Sequence, residues 1–108
     1  MANTFKSNLF KDVVTTGSTI YTCPAATQTT LIGLTLSNKA AGTITASVYM
    51  TRSAVDYSLI TNVPIQAGST FVPIGGEQKV VLQAADVLKV TVSAATSLDV
   101  IASLLEIA

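Results

Sequence analysis

There is no histidine in this chain and no tryptophan, and Cys23 is its single cysteine. Without histidine, the general base of Ser-His-Asp and Cys-His arrangements is missing. One cysteine neither fills a zinc site nor forms an intrachain disulfide. Charge is scarce as well: six basic and six acidic residues, 11% of the chain, cancel to zero. A nucleic-acid surface needs a clustered basic excess, which this balance does not supply. "IGGEQK" has the wrong spacing for a Walker-type phosphate loop, and no acidic stretch resembles an EF-hand calcium loop. "MANTFKSNLFKDVV" lacks the apolar stretch of a secretory signal, and no apolar run approaches the length of a membrane span. Asp56, Glu77, Asp86, Asp99 and Glu106 leave a glycosidase-type carboxylate pair open by inventory alone. Asp86, however, stands in a turn, where aspartate bonds its own backbone. The expectation is a protein that is not an enzyme and holds neither metal nor cofactor.

What is abundant is aliphatic and β-branched. Hydrophobic residues make up 49% of 108, with only 6% aromatic, and mean hydropathy is +0.56. That excludes a disordered chain and suits one domain with an aliphatic core. Alternation recurs. In "TITASVYM", Ile44, Ala46, Val48 and Met50 oppose Thr45, Ser47 and Tyr49. In "VLKVTVS", Leu88, Val90 and Val92 oppose Lys89, Thr91 and Ser93, and in "TLIGLTLSN", Ile32, Leu34 and Leu36 oppose Gly33 and Thr35. Each reads as a strand with one buried face. Turn signals ("TTGS", "SNKAAG", "TRSAVD", "PIQAGS", "IGGEQ", "QAAD", "SAATS") recur at short intervals, with Gly75-Gly76 suited to a hairpin or bulge. Pro24, Pro64 and Pro73 fall at strand ends or edges. The fold expected is an all-β antiparallel sandwich of about eight strands, jelly-roll-like or Greek-key, laid down one hairpin after another, with an N-terminal extended arm.

Two segments do not fit a plain sandwich strand. Residues 1–16 carry Phe5 and Phe10 beside Lys6, Lys11 and Asp12; they form either a first strand or an arm whose aromatic side chains dock elsewhere, ahead of a sandwich domain at 17–108. "LDVIASLLEIA" is apolar on both faces: Leu98, Val100, Ala102 and Leu104 on one, Ile101, Leu105 and Ile107 on the other. Such a strand lies between layers or against another subunit. Phe5, Leu9, Phe10, Ile101, Leu105 and Ile107 are therefore the candidate contacts to a subunit or shell. So little charge on a domain this small implies a surface covered in part by partners. Tyr21, Tyr49 and Tyr57 are the alternative, as a carbohydrate-contacting set, though they sit on separate strands.

"TIYTCPAATQTTLIGLTLSNKAAGTITASVYM", "YSLITNVPIQAGST" and "KVVLQAADVLKVTVSAATSLDVIASLLEI" resemble a family of small virion structural proteins of tailed bacteriophages, and "ANTFKSN" is similar to versions in phages of marine cyanobacteria. The family theme is a "YTVPA"-like strand and turn, a "NxTxxxxTVxV" hairpin, a "P(I)xAGST" turn and an "LxAGDxLxV" strand. Here Cys23 stands where valine is common, and "QAAD" replaces the more usual "AGD". The resemblance covers nearly the whole chain and rests on turns and core positions, so no catalytic residue comes with it. It implies a β-sandwich in a virion assembled in the cytoplasm of the bacterial host. The role expected is a capsid decoration (cement) protein, a homotrimer bound to the major capsid protein; the alternative is a tail or tail-fibre component contacting the host surface, with glycan binding as one form of that contact. Nucleic acid and membrane are not expected partners.

Overall fold

A computed structural model describes residues 3–74 and 79–107. The chain runs through nine strands: β1 (Asn3–Phe10), β2 (Ser18–Thr22), β3 (Gln28–Asn38), β4 (Ile44–Arg52), β5 (Val55–Ile65), β6 (Thr70–Ile74), β7 (Val80–Leu82), β8 (Val87–Val92) and β9 (Leu98–Ile107). They form two antiparallel sheets packed as a sandwich. One has the order β1-β9-β3-β6, with β7 also on β3; the other has the order β2-β8-β4-β5. β7 pairs with Thr29–Leu31 of β3, and β6 pairs with Leu34–Ser37. β6 and β7 thus share one edge position, end to end. With that position counted once, the two sheets carry the strand order of a jelly roll.

Consecutive strands mostly change sheets. Among the described residues only β4 and β5 are neighbours both in sequence and in a sheet, so the expected succession of hairpins is corrected to one hairpin and a series of crossovers. Each alternating strand buries its one apolar face against the partner layer whichever strand precedes it, so alternation fixes the two layers and leaves the order of connection open. Gly75-Gly76 lie outside the described residues.

The inner faces interdigitate into an aliphatic core. Leu31, Leu34, Leu36, Val48, Leu88, Val90, Leu98, Val100 and Leu104 are at most 1% exposed, each contributing about 1.5–3 kcal/mol by leaving water. One facing in β3 departs from the simple alternation. The register shifts between Leu31 and Gly33, so Leu31 is buried and Ile32, expected inside, is half-buried. A bulge adds one residue and moves everything before it to the other phase.

The turns explain how a glycine-poor chain reverses direction. Arg52 pairs with Val55, leaving Ser53 and Ala54 as a two-residue hairpin, both at positive φ (53° and 64°), the geometry that matches strand twist. Gly17 is at φ +110°, and an added Cβ there would lie 3.1 Å from the Tyr49 hydroxyl, so glycine is required. In "QAAD", the Asp86 N–H donates to Gln83 O at 3.0 Å and Ala85 sits at φ +72°. Ala85 holds the glycine position of the phage pattern, in a conformation that costs an L-residue about 1–2 kcal/mol.

Candidate interaction surface

β1 is an edge strand whose alternation is reversed. Cross-strand partners share a face, and Lys6, Asn8 and Phe10 pair with the buried Leu104, Ala102 and Val100. The inward side of β1 is therefore largely polar and satisfied by polar contacts. Asn8 Nδ2 donates to Ile20 O at 3.0 Å, and Lys6 Nζ lies 3.4 Å from Glu106 Oε2. Its outward side carries Phe5 and Leu9, 78% and 73% exposed. An ordinary edge strand would place these two against the core.

Register lines extend this reversal across the sheet. Phe5 pairs with Leu105, Leu105 with Thr30, and Thr30 with Val81. Two residues along, Ser7, Ser103 and Gly33 form a row of small side chains; two further, Leu9, Ile101 and Thr35 form the next apolar row. The outer face thus has two ridges about 13 Å apart with a trough between them. The trough is an open groove of about 340 Å³ lined by Phe5, Lys6, Ser7, Ile32, Ser103 and Leu104. A second groove, about 260 Å³, follows Leu9, Phe10, Lys11, Asp99, Val100 and Ile101. Ile101, Val72 and Val81 are about half exposed or more. Exposed apolar side chains gathered on one face of a small domain make it the candidate contact surface.

Charge on this side is sparse and mostly paired, with Lys6 in the trough and Lys11 and Asp99 along the second groove. Lys39 bridges Asp12 and Asp99, with Nζ 3.0 Å from Asp99 Oδ1. The Asp12 N–H, donating at 3.0 Å, and Lys39 hold the Asp99 carboxyl below the usual range. At the opposite end of β9, the Tyr21 hydroxyl donates to Glu106 Oε2 at 2.5 Å and lies 2.8 Å from Thr29 Oγ1. Those contacts and Lys6 keep Glu106 ionised below its ordinary range, while burial and the Glu106 contact push the Tyr21 hydroxyl well up. In the other sheet, Arg52 donates twice to Asp86, at 2.9 and 2.6 Å, and Asp86 also accepts the Gln83 N–H. These bonds, Arg52 foremost, lower the Asp86 carboxyl. Cys23 is buried, with Sγ 3.3 Å from Thr29 Oγ1.

Of the six sequence candidates, Phe5, Leu9, Ile101, Leu105 and Ile107 lie on this one outer face. Phe10 points the other way and packs, half-buried, against the core. The three tyrosines do not meet: Tyr21 is buried, Tyr49 is on the outside of the other sheet, and Tyr57 is at the exposed end of β5. Sequence reasoning missed the trough, because Ser7, Gly33 and Ser103 come together only through register. The one available signal was Ser7 between two outward apolar residues of β1.

No protein-family model matches the chain, and no curated protein sequence matches it. Among solved structures, the chain is similar to one from Bacillus endospore appendages, a family of disulfide-linked pili: TM-score 0.55, 11% identity, covering 96% of this chain and 86% of that one. A pentameric capsid protein from metagenomic phage sequences aligns with TM-score 0.43 and 21% identity, over 92% of this chain and 59% of that one. The VP2 subviral particle protein of infectious bursal disease virus gives TM-score 0.43 and 7% identity, over 96% and 32%. The two likenesses at 0.43 are too weak to argue from. What the chain shares with the pilus protein is its fold.

Proposed function

We propose that this chain is a structural protein of a tailed-phage virion, a capsid decoration protein that self-associates, most simply as a trimer, and binds the major capsid protein. The observation that carries the reading is the outer face of β1-β9-β3: Phe5, Leu9, Ile101, Leu105 and Ile107 give it exposed apolar area that gains by being covered. The whole face, roughly 600 Å², approaches the area of about 800 Å² per partner that standard interfaces bury. The sequence resemblance to virion proteins supplies the particle, and assembly in the host cytoplasm follows from it. Mechanically, such a protein works by burying area at many copies, so a stable sandwich without reactive groups is sufficient.

A second reading, a tail or fibre component contacting the host surface, is favoured by the likeness of the fold to that of an extended surface appendage. Copy number in the purified particle separates the two. Hundreds of copies, and shells that lose heat and osmotic resistance without the protein, support decoration. A few dozen copies at most, with host adsorption lost on deletion, overturn it in favour of the fibre.

A further inference from the structure

We infer that the trough of the outer face seats the Phe5 ridge of a second copy of this chain. The inference rests on the reading of that face as a contact surface and names its occupant.

Three observations converge on a like copy. The first is shape. The trough formed by Ser7, Ser103 and Gly33 lies one dipeptide repeat, about 7 Å, from the ridge that holds Phe5. Two copies laid face to face and offset by that repeat place each ridge in the other's trough. The second is charge. The three register rows contain no ionisable side chain; Lys6, which lines the trough beside them, is paired with Glu106, and Asp12 and Asp99 are paired with Lys39, so identical faces meet with their charges already matched. The third is area. Four strand positions at about 4.8 Å and a ten-residue β9 give a footprint of roughly 600 Å² per copy. The offset of about 7 Å leaves roughly 500 Å² of that shared, so the pair buries about 1,000 Å², the threshold for a specific interface. Each copy supplies ridge and trough on the same face, so the contact is reciprocal and needs only two copies.

The chemistry is simple desolvation. Phe5 is 78% exposed in its own subunit, and the small row opposite offers space for a ring. Ile32, turned toward the groove by the β3 bulge, provides its apolar wall.

The test is sedimentation equilibrium of the purified chain from about 1 to 100 μM, with Phe5→Ser, Ser103→Phe and Thr91→Phe beside the wild type. Phe5→Ser removes the ridge, Ser103→Phe fills the trough, and Thr91→Phe adds the same ring to the opposite sheet. The expected result is a concentration-dependent multiple of 11.1 kDa for wild type and Thr91→Phe. Both outer-face variants should weaken association roughly thirty-fold or more, with melting temperatures at low concentration within a few degrees of wild type. A wild-type monomer throughout, or a Ser103→Phe variant that associates normally, overturns the inference. The virion reading is scored separately by particle copy number. A monomer that still decorates shells leaves that reading standing without this contact, and a self-associating chain absent from particles leaves the contact standing without that reading.

Discussion

On the outside of β2-β8-β4-β5 the residues facing away from the core are mostly polar, Thr19, Thr45, Ser47, Thr51, Lys89 and Thr91, with Tyr49 and Val87 among them; on the outside of β1-β9-β3 the apolar Phe5, Leu9, Ile101, Leu105 and Ile107 flank Ser7, Ser103, Thr30, Thr35 and Asp99. Both sheets have equally aliphatic inner faces, with Val48, Leu88 and Val90 opposite Leu34, Val100 and Leu104, all at most 1% exposed. Stability therefore does not explain the difference. Threonine and serine meet water at little cost and keep β preference. Isoleucine and leucine in the same pleat positions gain nothing from solvent and invite cover. One sheet meets water mainly with hydroxyls, and the other exposes large aliphatic and aromatic side chains to it.

Making the apolar face resemble the polar one should have the largest effect. Ile101→Lys is expected to raise the dissociation constant of the assembly about a hundredfold, while costing the isolated subunit less than about 1 kcal/mol, since Ile101 is 46% exposed. Thr91→Lys is the matched control and should change neither. Light scattering and denaturant titration of the same samples read the two quantities. An equal loss of stability in the isolated subunit would place Ile101 in the core and remove the contrast.

The polar-faced sheet instead depends on an internal tie. Asp86→Ala leaves the Gln83 N–H without its acceptor and releases Arg52 to solvent, and is expected to lower stability by about 1 kcal/mol without altering the assembly state of the folded protein. Urea denaturation measures it, and a loss below about 0.5 kcal/mol would mean that water replaces the pair at no cost.

Titration should act on both sheets together. Asp86, Asp99 and Glu106 all hold folded pKa values below their ordinary ones. The unfolded chain binds more protons through that range, so stability rises with pH there. The contribution is complete above about pH 5 and is lost as pH falls through the carboxylate range and below it. Tyr21 has the opposite sign: its raised pKa means the unfolded chain ionises first, so stability falls again above about pH 10. Melting temperature from about pH 3 to 11 should trace a plateau with both shoulders, and Tyr21→Phe should flatten the alkaline one.

The smallest effect is a gain. Ala85→Gly relieves a left-handed alanine and should stabilise the chain by about 1 kcal/mol, read as a melting shift of a few degrees. A loss would show that the alanine methyl packs usefully in the turn.

Much of the fold was legible because alternation has period two and a core needs one phase of it. Ile44 to Met50, Leu88 to Val92 and Leu98 to Leu104 face as their patterns require, and the turn at Asp86 bonds its own backbone. The two-sided character of "LDVIASLLEIA" was legible for the same reason, and five of the six proposed contacts share one face as a result. Phe10 does not, because Phe5 and Phe10 are five residues apart and an odd spacing in a strand puts them on opposite sides.

By itself, then, the sequence determined that this is a sandwich of alternating strands with an aliphatic core, since inward and outward are local properties of a pleated chain. Only the tertiary structure decided which strands are neighbours, that β1 turns its apolar side outward, and that Ser7, Ser103 and Gly33 line up as a trough between two ridges. Those are matters of register. A bulge at Leu31–Gly33 or a crossover between layers shifts it by one residue, and nothing local in the chain records which strand will lie alongside.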